Sequence, residues 1–291
     1  MRLKKFLLSS LLAIGCALSF SGCKDKSPAG NISEELTFKD GDKIAEIVIE
    51  DYGTITAKLF PDIAPNAVKN FELLAEKGYY DGLKIHYVAK DNCIRGGSLN
   101  GDGTGGSALV DDSGVFPIET SVDARNFYGA LGYVADEMGE NAVQFYIVNS
   151  KKTDDITKYS PDLIRNEANT IAEQKESLEE GDPVLDRLTY NETYHNNLAD
   201  MISKASAEVK TRYAEKGGIP LWDGGFTVFG QVYEGFDVLD KLSSVEVVTG
   251  RDGTQTKPKT EIIIESVKIT EYKAPEPEPE EESVVSSKKK N

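Results

Sequence analysis

Two β-branched runs, 44–49 and 55–60, flank Asp51-Tyr52-Gly53, and together they read as a hairpin. Further strand signals follow at 83–89, 130–135, 144–148, 226–232 and 261–272. Many short strands joined by glycine-rich turns, with few helices between them, fit a closed antiparallel barrel. Pro65 opens one of the helices. Val68, Phe71, Leu74 and Ala75 fall on one face, and Gly78 is a natural C-terminal stop. A shorter helix fits 238–242. The chain has 291 residues, enough for one large domain or two small ones, and 39% hydrophobic content supports a packed core.

The segment 151–218 breaks this pattern. It is polar and helix-prone. Ser160-Pro161-Asp162 supplies an N-cap and a first-turn proline. Ile164, Ala168, Ile171 and Leu178 follow at helical spacing, and Gly181-Asp182-Pro183 ends the run. Tyr194, Leu198, Met201, Ala205, Val209 and Tyr213 keep nearly a seven-residue rhythm. The reading is an inserted pair of helices. A solvated embellishment and a lid or partner surface both stand as roles, because long insertions cost little thermodynamically.

The stretch 70–106, NFELLAEKGYYDGLKIHYVAKDNCIRGGSLNGDGTGG, carries a resemblance. Asn70, Phe71, Leu74, Gly78, Tyr80, His86, Gly96, Gly97 and Gly103-Thr104-Gly105-Gly106 match the scaffold of a cyclophilin. Cyclophilins are the barrel-fold family of peptidyl-prolyl cis-trans isomerases. The likeness covers about 43–150 and 217–272. It implies a mainly β domain over 43–272: a closed eight-stranded antiparallel barrel capped by two helices, with an outer peptide groove and the helical pair inserted at 151–218. It implies no cofactor and no metal.

Proline isomerisation needs neither nucleophile nor metal. Peptide-bond rotation faces a barrier of roughly 18–20 kcal/mol, and a catalyst must favour the twisted amide over both planar forms. The resemblance implies an arginine donating to the prolyl nitrogen, a glutamine and an asparagine on the peptide, and an apolar proline pocket. In this sequence His86 matches the family histidine, but Tyr87 stands where the arginine belongs. A phenol donates one hydrogen bond and is uncharged at neutral pH. Asn92 and Cys93 replace a phenylalanine and a methionine, and Arg95 replaces a glutamine. Val134 and Ala135 fall at an alanine and the peptide-holding asparagine, while Gln144 is retained. Tyr146 takes a pocket phenylalanine. Leu221, Trp222 and Phe226 fall at a tryptophan, a leucine and a histidine, and a one-residue shift would return Trp222 to the groove. Arg95 reads either as a surface arginine or as a relocated donor. The expected function is a proline isomerase acting as an extracytoplasmic folding factor, weakened at Tyr87. The alternative is an inactive peptide- or protein-binding module or chaperone.

The two ends of the chain read differently. A basic start, an apolar run over 6–20 and Ser21-Gly22-Cys23 resemble a lipoprotein signal, which implies cleavage after residue 22 and lipidation of Cys23. A polar tether over 23–42 and an acidic, proline-rich disordered tail over 273–291 flank the domain. The expected location is the cell membrane, lipid-anchored on its extracytoplasmic face, with proline-containing unfolded or exported polypeptides as partners. A formal charge of −16 argues against nucleic acid. Cys93 is then the one cysteine left in the domain, and His195 reads as a surface residue. Oligomeric state is unassigned by these patterns.

Overall fold

The structure, a computed structural model, describes residues 37–274. The expected signal segment, Cys23, most of the tether and nearly all of the tail lie outside the described residues. The hairpin reading at the start corresponds to β1 (Lys43–Ile49) and β2 (Gly53–Leu59), paired antiparallel. The remaining strands of the main sheet are β3 (Tyr87–Val88), β4 (Cys93–Gly96), β6 (Ala130–Tyr133), β8 (Phe145–Val148), β9 (Val228–Glu234) and β12 (Ile264–Glu271). Short pairs form from β5 (Phe116–Pro117) with β7 (Glu140–Asn141) and from β10 (Val247–Thr249) with β11 (Gln255–Pro258).

The eight strands run β12-β1-β2-β9-β6-β8-β4-β3, each antiparallel to its neighbour. The sheet curls until its two edges meet. Lys84, just before β3, bridges Ile263, just before β12. Gly82 N donates to Ile264 O, Ile264 N to Leu83 O and Ile85 N to Ile262 O, at 2.8–2.9 Å. Closure of this kind leaves few unpaired edge groups.

Helix α1 (Pro65–Glu76) lies against the barrel through Val68, Phe71 and Leu74. Phe71 packs on Tyr80, Phe145 and Phe229 at centroid distances of 5.1–5.9 Å. The helix begins at Pro65 without a side-chain cap of its own. Glu119 supplies one from a distant loop, its carboxylate accepting from Asn66 N at 3.1 Å and Ala67 N at 2.9 Å. That satisfies two of the orphan donors of the first turn. Buried Asn70 donates to Tyr133 Oη and Ala142 O and accepts from Leu109 N, tying the helix to the sheet. The second capping helix is α5 (Phe236–Ser243).

The insertion differs from the expected pair. It holds three helices: α2 (Pro161–Glu176), α3 (Leu185–Ser203) and α4 (Ala207–Lys216). Ser160 caps α2, its Oγ accepting from Leu163 N. The seven-residue rhythm from Tyr194 to Tyr213 is divided because Ser206 accepts from Val209 N and so begins a new helix. Residues 37–42, assigned by composition to the tether, are packed on the barrel. Phe38 sits on Tyr233 and Tyr272 at 4.6 and 4.8 Å, and the Asp42 carboxylate meets Lys58 Nζ at 2.9 Å.

Candidate active site

Strand register builds the site. Tyr87 on β3 lies opposite Arg95 on β4, Arg95 opposite Tyr146 on β8, and Tyr146 opposite Gly132 on β6. Directly paired residues project to the same face of a sheet, so one row across four strands presents Tyr87, Arg95 and Tyr146 together. The Arg95 guanidinium stacks on the phenol, with Cζ 4.3 Å from the Tyr87 ring centroid. Such a contact contributes about 0.5–2 kcal/mol and fixes the plane of the cation. The Arg95 Nε is buried without a partner. Burial works against the charge, but beside Cys93, Tyr87 and Tyr146 the Arg95 pKa still lies above its ordinary value, so the guanidinium is cationic at pH 7.

A groove of about 590 Å³ is lined by His86, Tyr87, Arg95, Val134, Ala135 and Gln144 among others. Six of the residues expected from the sequence are thus on one cavity. Gln144 donates from Nε2 to Gly103 O at 3.0 Å, which fastens it to the glycine-rich loop. His86 is held by its backbone, His86 N donating to Arg95 O. Burial, and secondarily the Arg95 charge, push its imidazole down to about 4, so it is neutral at pH 7. Burial also pushes the Tyr87 phenol up, keeping it protonated.

Cys93 and Tyr146 lie beneath the groove, not on its surface as the resemblance implied. Cys93 is buried and Tyr146 is 1% exposed. The Tyr146 Oη donates to Asn126 Oδ1 at 2.6 Å, and Trp222 and Phe226 stand edge-on to its ring at 5.4 and 6.0 Å. With Val134 and Tyr87, these side chains form a separate apolar cluster beside the cavity. Trp222, not Leu221, is the residue packed there, whereas Leu221 is 39% exposed and is not part of the cluster. Asn92 sits in the turn before β4 and is bonded through its backbone to Asn149, with its own Oδ1 unpartnered.

Two features escaped the sequence reading. The turn between β10 and β11 closes one end of the groove, where Arg251 Nη1 meets Asp102 Oδ2 at 2.9 Å and Thr104 Oγ1 at 3.3 Å. Gly250-Arg251-Asp252-Gly253 is a hairpin signal between β-branched residues and could have revealed it. The second feature is a buried network around Asp223. Its carboxylate accepts from Arg125 Nη1, Asn126 N, Asn126 Nδ2 and Tyr213 Oη at 2.8–3.3 Å. No metal-holding cluster of His, Cys, Asp or Glu occurs among the described residues.

Comparison with known proteins agrees with this geometry. The model of the cyclophilin type peptidyl-prolyl cis-trans isomerase family matches residues 44–161 and 212–269. The gap in that match spans α2, α3 and the first part of α4. A Staphylococcus haemolyticus protein named "Putative peptidyl-prolyl cis-trans isomerase" is 33% identical over 217 residues, covering 75% of this chain and 86% of that protein. A Staphylococcus aureus protein of the same name is 31% identical, covering 79% and 93%. The crystal structure of a Cryptosporidium parvum cyclophilin type peptidyl-prolyl cis-trans isomerase superposes with a TM-score of 0.50 at 20% identity. It covers 81% of this chain and all of that one. The match of barrel, motifs and sequence over most of its length places this chain in the cyclophilin-type peptidyl-prolyl cis-trans isomerase family.

Proposed function

We propose that the chain isomerises prolyl bonds of exported polypeptides and that Arg95 supplies the donor in place of the family arginine. The observation that carries this is the Arg95–Tyr87 stack at 4.3 Å on the wall of the groove. As the amide twists, conjugation is lost and the lone pair localises on the prolyl nitrogen, which then accepts a hydrogen bond. A guanidinium donates from a rigid fork, and a charge-assisted bond is roughly twice as strong as a neutral one. Tyr87 holds the plane of that fork and Gln144 lines the same cavity for the flanking peptide. Interactions that strengthen only in the twisted form raise kcat. A related Cryptosporidium parvum structure was solved in the presence of the dipeptide Ala-Pro, which fits a ligand of this class.

The leader-like segment and Cys23 support an extracytoplasmic, lipid-anchored location. A Cys23→Ser chain should leave the membrane fraction. A second reading, a peptide-binding module without catalysis, is favoured by the burial of Tyr146 under Trp222 and Phe226 and by Ala135 at the family asparagine. A protease-coupled isomerisation assay separates the two. Activity in the wild type that falls at least tenfold in Arg95→Ala supports the relocated donor. An inactive wild type with activity appearing in Tyr87→Arg supports the binding module.

A further inference from the structure

Residues 221–225 carry Trp222 into the apolar cluster and lead directly to Phe226. This segment takes four side-chain anchors from the inserted helices. Tyr194 Oη donates to Leu221 O at 2.8 Å, Asn197 Nδ2 to Gly224 O at 3.2 Å and Tyr190 Oη to Gly225 O at 2.9 Å. Tyr213 Oη, from α4, lies 2.8 and 2.9 Å from the two oxygens of Asp223 and donates its single hydrogen to that carboxylate. Tyr190, Tyr194 and Asn197 are spaced three and four apart, so one face of α3 makes three of these bonds. The approach is close. A Cβ on Gly224 would stand 2.5 Å from Tyr194 O and 2.6 Å from Leu198 N, so the helix backbone rests on the segment itself.

A second route runs through the Asp223 carboxylate. Asn126 donates to it from N and Nδ2, and Asn126 Oδ1 accepts from Tyr146 Oη. Tyr213 on the insertion is thereby linked to Tyr146 through two intermediate side chains. Trp222 and Phe226 cover the ring that this route holds. An embellishment that merely lay in solvent would meet the barrel through exposed charges. These contacts are phenol and amide donors on backbone carbonyls and on a buried carboxylate.

We infer that the inserted helices position a half-buried Trp222–Phe226 wall, seated on Tyr146 and packed against the groove residues Tyr87 and Val134, for peptide binding, with Tyr190, Tyr194, Asn197 and Tyr213 as positioning residues. The inference rests on the peptide-binding groove described above. It assigns the insertion to substrate recognition, and it requires that wall to respond when those hydroxyls are removed.

Trp222 is the one tryptophan of the chain, so its emission reports on the wall directly. The test compares the full chain with Tyr194→Phe/Tyr213→Phe, using a tetrapeptide with an internal Ala-Pro bond as the probe. Tyr159→Phe is the control, because its hydroxyl bonds Asp154 in the insertion and does not reach residues 221–225. The expected result is a red-shifted Trp222 emission and roughly tenfold weaker peptide binding, because a wall released from its anchors must be ordered again when peptide binds. KM should rise by the same factor, with kcat within about twofold of the wild type. Tyr159→Phe should match the wild type in both readouts. Unchanged emission and unchanged peptide affinity in the double variant overturn the inference, even if its melting temperature falls. A wild type without isomerase activity sinks the catalytic reading alone, because emission and affinity still decide this one. If the double variant does not fold, Tyr194→Phe takes its place, with an expected three- to fivefold loss of affinity.

Discussion

Gly132 lies opposite Tyr146 in the sheet, and the tyrosine ring fills the space a side chain at 132 would need. A Cβ there would stand 2.4 Å from Tyr146 Cζ and Oη. Gly132→Ala therefore forces the ring out of its place under Trp222 and Phe226. Overpacking of this kind costs about 1–3 kcal/mol. Denaturant unfolding should show that loss, and peptide affinity should fall with it.

Arg125 and Asp223 form a buried ion pair, their side chains 1% and 2% exposed. Arg125 also donates from Nη2 to Met201 O on α3. Removing one partner leaves an uncompensated buried charge, which costs about 3–5 kcal/mol. Arg125→Ala should lose that much stability in a denaturant titration. Arg125→Lys should recover only part, because a lysine cannot serve Asp223, Met201 O and Val122 O together.

His86 makes stability depend on pH. Its folded-state pKa of about 4 lies below the unfolded value of about 6.5. The unfolded chain therefore takes the proton first as pH falls. The contribution is fully present above pH ~6.5 and is lost as pH falls toward ~4, by at most about 3 kcal/mol. Unfolding midpoints measured at several values between those limits should drop for the wild type and stay flatter in His86→Gln.

Glu119 replaces the missing cap of α1. Glu119→Ala should cost about 1 kcal/mol, within the range of lost N-caps. A lower melting temperature checks this. Glu119→Gln should retain part of the stability, since an amide oxygen still accepts but without charge at the positive helix end.

Those sites also show how much of the molecule was legible beforehand. β1, β2 and α1 were readable because β-branched runs, a hairpin turn and a helix-opening proline are local signals. β3 fell inside the strand expected at 83–89, but the two-residue strands β5 and β7 were not readable, because their pairing is set by neighbours distant in sequence. The division of the insertion at 204–206 was hidden by a continuous apolar rhythm, and the capping serine overrode it. Tyr87, Arg95 and Gln144 were placed on one groove from their motif positions. Tyr146 went the other way. Its burial depends on Asn126 as hydroxyl partner, on Gly132 as empty space and on Trp222 as cover, and no local spacing encodes that combination. Glu119 as a cap on α1 is invisible for the same reason.

The first strand of the barrel is paired with the last, Lys43 with Glu271. Nearly the whole domain must therefore be available before its sheet can close, and contacts so far apart along a chain slow folding. A chain delivered from its N-terminus would wait, with β1 unpaired on one side, until β12 arrived. The same pairing brings the two ends of the barrel domain together, with Ala274 N donating to Asp40 Oδ1 at 2.7 Å. The segments that enter β1 and leave β12 are thus neighbours on the barrel surface, so a label placed at residue 40 will crowd one placed at residue 274.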